Sequence, residues 1–315
     1  SNIADEKIST RIRKTARNLW FVYIGLTVLE IVLLCLGKMP FFDSVCHSFA
    51  TIATGGFSTK NDSIAGYSSY IQYIIALFML LSGINFTLHI YLIKRKIRPV
   101  LKNEELKMYL AIIFIIGLLI SALVYFNTEI GLEKAIRDSF FQVISIITAT
   151  GFATADYLNW PIQSLLLIAL LMLIGASAGS TGGGVKVIRH LISLKKIKHS
   201  FKNIISPNVS KVVQYNGKTL DQDYISRVMA FIVLYYTIVI IGTLVMMLLG
   251  QDAATSFGAV ATSMAGIGPG FGTVGPANNF HHLPDLAKYF LTFLMIIGRL
   301  EIYSVLILFT RSFWR

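Results

Sequence analysis

The chain has 315 residues, of which 55% are hydrophobic and only 14% are charged, and its formal net charge is +12. Soluble domains carry about 25% charged residues, so this composition excludes an ordinary soluble protein and indicates an integral membrane protein. The two cysteines, Cys35 and Cys46, provide neither a disulfide framework nor the spacing of a metal site. The basic residues cluster beside apolar segments, so the charge reports membrane orientation rather than nucleic-acid binding.

Long and short apolar segments alternate along the chain. A bilayer is crossed by about 20 apolar residues, and we predict membrane-spanning helices at residues 11–36, 69–93, 108–126, 161–190, 227–249 and 284–314. The short segments cannot cross, and we predict re-entrant half-helices at residues 40–52, 132–147 and 253–264. The predicted fold class is an all-α membrane protein with three repeats of helix, half-helix, glycine turn and helix, at residues 1–98, 99–200 and 201–315.

A glycine-containing turn follows each predicted half-helix. The first turn is ATGGF at residues 53–57, the second is TATGF at 148–152, and the third is AGIGPGF at 265–271. A half-helix that stops inside a membrane presents a partly negative carboxyl end, which attracts cations. Glycine lets successive carbonyl groups face one axis, and rings of carbonyls can replace the hydration shell of a potassium ion. Since the turn recurs at the same place in every repeat, we predict a cation filter.

Lysine and arginine flank the ends of each repeat, whereas few of them lie beside the turns. The positive-inside rule therefore places the repeat ends in the cytoplasm and the turns outside. Residues 195–218, between the second and third repeats, form a basic and polar linker. We interpret this linker as a solvated cytoplasmic loop, with a docking surface for a cytosolic partner as the alternative.

A glycine-rich loop, residues 175–184, interrupts the last helix of the second repeat. Five of its ten residues are glycine, and each glycine costs about 1 kcal/mol relative to alanine in a helix. Alignment of the three final helices places this loop beneath the turns, near the middle of the membrane. We therefore predict a gate formed by Gly175, Ala176, Ser177, Ala178, Gly179, Ser180, Thr181, Gly182, Gly183 and Gly184.

Two other classes of protein have features in common with this loop. Residues 175–179 fit the G-x-S-x-G pattern of serine hydrolases, with Ser177 as the nucleophile. A hydrolase needs a histidine base at the same depth, and none is expected there, so an intramembrane hydrolase is a remote alternative. Secondary transporters with inverted repeats also contain broken helices. The repeats here all run in the same direction, which favours a channel-like pore.

Arg299 lies near the centre of the helix predicted at residues 284–314. A lone charge at this depth costs at least about 2.5–3.5 kcal/mol, and arginine cannot lose its proton. Glu301 is a poor partner because residues two apart do not share a helix face. A broken helix leaves carbonyls without partners, and a guanidinium has five donors that can satisfy them. We predict that Arg299 latches the glycine-rich loop, with a structural tie to a neighbouring helix as the alternative.

The three turns resemble the filter loops of the Trk/Ktr/HKT family of potassium transporters, and most closely those of the membrane subunit of bacterial Trk systems. In that family four repeats surround one potassium pathway. The resemblance implies that the three repeats correspond to the second, third and fourth, and that the first repeat is absent from this chain. It aligns Gly55, Gly151 and Gly268 as the filter glycines, with Ile267 in the place of a threonine. It implies a filter that binds K⁺ through the backbone carbonyls of Ala53, Thr54, Gly55, Ala149, Thr150, Gly151, Gly266, Ile267 and Gly268.

The same resemblance implies potassium uptake across the bacterial inner membrane, with sodium or another monovalent cation as the alternative ion. It implies no cofactor besides the transported ion, and a gate made by the glycine-rich loop and Arg299. It also implies a homodimer surrounded by membrane lipid and regulated by a cytosolic nucleotide-binding ring. The polar start of the chain at Ser1 is expected to be the interior of a longer protein.

Overall fold

The computed structural model describes residues 2–205, 212–300 and 302–314. These ranges are mostly helical, with one short β-hairpin. The α-helices are α1 (Asn2–Leu36), α2 (Phe41–Ile52), α3 (Ser69–Ser82), α4 (Phe86–Ile93), α5 (Ile97–Leu101), α6 (Glu104–Asn127), α7 (Leu132–Ile147), α8 (Ile162–Met172), α9 (Val187–Ile205), α10 (Gln222–Leu248), α11 (Ala253–Ala265), α12 (Asp285–Arg299) and α13 (Ile302–Leu306). The strands are β1 (Gln214–Tyr215) and β2 (Lys218–Thr219), and 3₁₀ turns lie at Tyr157–Asn159, Gly272–Val274, Ile307–Phe309 and Arg311–Phe313.

Three helices among the described residues are individually long and apolar enough to cross a membrane: α1 over Thr15–Leu36, α6 and α10. Much of their apolar surface is exposed, as expected for helices that face lipid. Helix α6 begins sharply because the Asn103 side chain accepts a hydrogen bond from the Leu106 N–H at 2.8 Å. Its first turn carries Glu104 and Glu105, whose charges favour the positive end of the helix dipole.

The half-helices α2, α7 and α11 contain 12, 16 and 13 residues, too few to cross a bilayer. Each packs against the long helix that precedes it. Their residues form much of the buried core, and from Phe141 to Ile147 every residue of α7 is buried. The long helices thus form the outer layer and the half-helices the inner one, which brings the three turns together at the centre.

Each of the three helices predicted to end a repeat is broken, although the sequence predicted a break only in the second. Helices α3 and α4 are bent by 100° at residues 83–85. Helix α12 ends at Arg299 and α13 begins at Ile302, and the two are bent by 116°. The continuous helices predicted at residues 69–93 and 284–314 are therefore wrong. By length and composition, three helices among the described residues could each cross a membrane, or up to five spans if each bent pair is counted as one, whereas the sequence predicted six.

The break after α3 has local causes that hydropathy does not reveal. Asn85 caps α4 by accepting a hydrogen bond from the Thr87 N–H at 2.8 Å. A Cβ added at Gly83 would lie 2.3 Å from the Tyr109 hydroxyl and 2.7 Å from Thr148 Cγ2, so only glycine fits there. The chain must turn at this point, and the turn exposes backbone groups toward the glycine-rich loop.

The linker between the second and third repeats is more ordered than the predicted solvated loop. Helix α9 continues to Ile205, and β1 and β2 form an antiparallel hairpin that pairs Gln214 with Thr219. Asn216 and Gly217 both have positive φ, 47° and 77°, as a two-residue hairpin turn requires. Beside the hairpin, a small separate core contains Ile192, Val213, Ile225 and Val228. Residues 206–211 of the linker lie outside the described residues.

Candidate functional site

In each of the three turns, one residue of the half-helix accepts hydrogen bonds from the two equivalent, successive N–H groups. In the first turn the Ala50 carbonyl accepts from the N–H groups of Gly55 at 2.7 Å and Gly56 at 3.4 Å. In the second, the Ser145 carbonyl accepts from Thr150 at 2.9 Å and Gly151 at 3.4 Å. In the third, Thr262 accepts from Ile267 with its carbonyl at 3.0 Å and from Gly268 with its hydroxyl at 2.8 Å. The three turns are therefore structurally equivalent.

This equivalence shifts the sequence alignment of the first turn by one residue. Gly56, Gly151 and Gly268 all have left-handed backbone conformations, with φ of 64°, 89° and 109°. Gly55 does not, and its hydrogen bond aligns it with Thr150 and Ile267 instead. The alignment of Gly55 with Gly151 and Gly268 is thus corrected to Gly56. The sequence could not decide between two adjacent glycines, because only the backbone angle distinguishes them.

Neighbouring turns approach each other at these glycines. A Cβ added at Gly56 would lie 2.0 Å from the Thr150 carbonyl oxygen. A Cβ added at Gly151 would lie 1.8 Å from the Ile267 carbonyl oxygen. The first turn therefore contacts the second and the second contacts the third, each through a carbonyl that directly precedes an aligned glycine. A Cβ at Gly268 would meet no described atom within 4 Å.

Buried hydroxyl groups hold the turns in place. The Ser145 hydroxyl donates to the Phe152 carbonyl at 2.6 Å, and the hydroxyls of Thr148 and Thr150 lie 2.8 Å apart. The Tyr157 hydroxyl donates to the Gly270 carbonyl at 2.6 Å and so connects the second repeat with the third turn. Because these groups are buried, their bonds are strong enough to fix the carbonyl positions.

The glycine-rich loop lies against the carboxyl ends of all three half-helices. The Thr54 hydroxyl donates to the Thr181 carbonyl at 3.0 Å. A Cβ added at Gly182 would lie 2.7 Å from the Thr148 carbonyl oxygen, and one at Gly183 would lie 2.0 Å from the Ala265 carbonyl oxygen. Glycine is thus required at two points where the loop touches the turns. The sequence predicted the loop beneath the filter, but not these contacts.

The loop is also fixed at its two ends and to the preceding repeat. Gly175 donates its N–H to Val185 at 2.7 Å, and Val187 donates to Ala176 at 3.1 Å, so the two ends pair with each other. The break after α3 supplies further bonds, since the Ser177 N–H reaches the Gly83 carbonyl at 3.0 Å. The broken helix of one repeat therefore holds the loop of the next.

Arg299 is the last residue of α12 and its side chain is exposed, rather than buried at the centre of a continuous helix as the sequence predicted. Its Nη1 donates to the Thr181 carbonyl at 3.4 Å. Lys186, which the sequence analysis did not single out, donates its Nζ to the Gly182 carbonyl. Both cations line a cavity of about 290 Å³ below the loop, together with Arg189. This cavity concentrates positive charge beneath the turns.

The hydrolase pattern has no catalytic geometry. The Ser177 hydroxyl is buried and has no hydrogen-bond partner among the described residues. The His89 imidazole, near the break after α3, bonds instead to the Leu81 carbonyl at 2.9 Å. A serine nucleophile needs a base within hydrogen-bond reach, and the described residues offer Ser177 none.

The sequence profile of the family described as TrkH, cation transport protein, matches residues 1–315. The chain is 36% identical over 316 aligned positions to the Trk system potassium uptake protein TrkH of Escherichia coli K12, covering 99% of this chain and 65% of that protein. It is 37% identical to TrkG of the same strain, with 99% and 64% covered. The crystal structure of the potassium transporter TrkH from Vibrio parahaemolyticus superimposes with a TM-score of 0.90 at 35% identity, covering 97% of this chain and 66% of that one. The chain therefore spans just under two thirds of the length of these relatives.

Proposed function

Because the chain belongs to the TrkH family of cation transport proteins, we propose that it forms part of the ion pathway of a potassium uptake protein. The three repeats, residues 1–98, 99–200 and 201–315, each contribute one turn to this pathway. The contacts of Gly56 with the Thr150 carbonyl and of Gly151 with the Ile267 carbonyl carry the proposal. They bring three equivalent turns edge to edge, as a filter built from several repeats requires.

The proposed filter binds potassium through backbone carbonyls of the three turns. The left-handed glycines let each turn reverse direction without a side chain in the way. The carboxyl ends of α2, α7 and α11 meet at the turns, and their partial negative charge attracts a cation. Carbonyl oxygens then replace the hydration shell of the ion. The filter includes Gly56 in addition to the residues that the sequence predicted.

The proposed gate is the glycine-rich loop with Arg299 as its latch. The loop touches the carboxyl end of every half-helix, so it obstructs the space that an ion would enter after leaving the filter. The guanidinium of Arg299 and the ammonium of Lys186 bond to loop carbonyls and add positive charge to this space. A potassium ion passes when the loop moves and these cations move with it.

The turns face the outside and the basic segments face the cytoplasm in this proposal, with the protein in the bacterial inner membrane. The distribution of lysine and arginine supports this orientation. A homodimer and a cytosolic nucleotide-binding ring are proposed from the family resemblance. The relatives are named as proteins of Trk systems, which supports the proposal that the protein acts together with further components.

Ion flux from the full-length protein in liposomes tests the proposal, with potassium and sodium compared in parallel. We expect potassium to be preferred, and we expect deletion of several residues within 176–183 to raise basal flux because the obstruction becomes smaller. A correctly folded deletion variant with unchanged or lower flux would show that the loop is a structural hinge and not a gate. Equal flux of both ions in the wild type would contradict the potassium filter.

A further inference from the structure

Glu105 is a carboxylate that neither the filter nor the latch uses. It lies in the first turn of α6 and is only 2% exposed. Its Oε1 accepts a hydrogen bond from the backbone N–H of Ala178, inside the glycine-rich loop, at 2.6 Å. Hydrogen bonds to charged groups are about twice as strong as neutral ones. This bond therefore ties the middle of the loop to the end of a long helix.

The same carboxylate faces two other segments. Ile188, at the start of α9, and Tyr215, in strand β1, lie near enough to Glu105 to interact with it electrostatically. Burial and the nearby Glu105 charge raise the pKa of Tyr215 to about 12, so the phenol keeps its proton and can donate at neutral pH. Glu105 thus lies where the loop, α9 and the hairpin of the linker meet.

Other contacts fix the hairpin to the same region. The Glu104 N–H donates to the Asn216 side chain at 3.0 Å. Lys195 of α9 pairs with the Glu104 carboxylate and donates to the Gln214 carbonyl at 2.7 Å. The hairpin cannot shift relative to α6 and α9 without changing the groups that surround Glu105.

We propose that Glu105 is a positioning residue that couples the hairpin at residues 213–220 to the glycine-rich loop. When the hairpin holds Tyr215 against the carboxylate, Glu105 keeps the Ala178 N–H and the loop stays closed. When the hairpin is displaced, the carboxylate loses this support and releases the loop. The inference rests on the proposed gate, and it identifies the hairpin as the surface from which the gate is controlled.

Flux and loop accessibility of the full-length protein test the coupling. Ser180→Cys, in a background without Cys35 and Cys46, reports loop movement through its rate of modification by a charged thiol reagent. Loss of one charged hydrogen bond changes an equilibrium on the order of tenfold. We therefore expect Glu105→Ala to raise both flux and modification rate by about this factor, and Glu105→Gln, which keeps an acceptor oxygen, to have a smaller effect.

Tyr215→Phe makes the test independent of the buried carboxylate, because it removes only the hydroxyl and keeps the ring. It should raise flux and modification rate severalfold, whereas Tyr224→Phe, on the exposed side of α10, should change neither. If Tyr215→Phe folds normally and leaves both readouts at the wild-type level while Arg299→Ala raises flux, the coupling is wrong and the proposed gate stands. If Arg299→Ala also has no effect, the proposed gate itself fails.

Discussion

Substitution of Gly151 by serine should damage ion selectivity more than any change of similar size in the second repeat. The added Cβ would lie 1.8 Å from the Ile267 carbonyl oxygen, and ordinary contact begins at 3.4 Å, so the two groups must separate by about 1.6 Å (3.4 minus 1.8). The φ of 89° adds strain of roughly 1–2 kcal/mol for a residue with a side chain. The carbonyl that moves is one that the proposed filter offers to the ion.

The size of the effect follows from the loss of one oxygen from the ion's shell. A carbonyl facing a bare cation resembles a hydrogen bond to a charged group, which contributes about 1.5–3 kcal/mol. If potassium loses this contact and the looser site accepts sodium, the preference falls about tenfold for each 1.4 kcal/mol. We therefore expect the potassium-to-sodium permeability ratio of Gly151→Ser to fall by at least about tenfold.

Reversal potentials of the full-length protein in planar bilayers, with potassium and sodium on opposite sides, measure this ratio. Gly131→Ser is the matched control, because a Cβ at Gly131 meets nothing within 4 Å and its φ is −60°. Gly56→Ser should resemble Gly151→Ser, since its Cβ would lie 2.0 Å from the Thr150 carbonyl. A Gly151→Ser protein that conducts with wild-type selectivity would refute the assignment of this turn to the filter.

Two further changes test other parts of the site. Arg299→Ala removes the donor to the Thr181 carbonyl and should raise ion flux. Arg299→Lys should only partly restrain the flux, because lysine lacks the planar guanidinium group. A folded alanine variant with wild-type or lower flux at every potassium concentration would exclude the latch. Asp252 caps α11, and hydrogen bonds from the Thr255 hydroxyl and N–H hold its pKa below the ordinary value. The contribution of this carboxylate to folding stability is therefore present above the unfolded pKa of about 3.9 and is lost as the pH falls through the lower folded pKa. Asp252→Ala should lower the free energy of unfolding by about 1 kcal/mol at pH 7. Thermal unfolding should show that the difference from wild type becomes smaller below pH 4.

The turns can be located in the sequence because the pattern that marks them is local. A half-helix followed by a glycine-containing turn recurs at the same interval in all three copies, and this pattern depends only on residue types. The register of the first turn was harder to predict, because Gly55 and Gly56 are adjacent and either glycine could adopt the left-handed backbone conformation. The distinction lies in the φ of 64° at Gly56, which is a property of the folded backbone.

The broken helices could be predicted only where glycine was dense. The glycine-rich composition of residues 175–184 predicts a break, whereas Gly83 and Asn85 lie in an apolar segment whose composition predicts a continuous helix. The available signal was Asn85 itself, because asparagine favours the N-cap position, where its side chain here accepts a hydrogen bond from the Thr87 N–H. The contact of Glu105 with Ala178 joins residues that are 73 positions apart, and no sequence period indicates it.

The glycine content of the loop also has a thermal consequence. Ordering a residue costs roughly 1–2 kcal/mol of backbone entropy at 25 °C, and glycine loses more freedom than any other residue. Closing a segment in which five of ten residues are glycine is therefore opposed by entropy and must be driven by the enthalpy of its bonds. Warming increases the entropic term that opposes loop closure, so the fraction of open molecules should rise. The flux should therefore increase with temperature more steeply than it would through a pore that is always open. The glycines that let the loop fit against the turns thus also make the proposed closed state more sensitive to temperature.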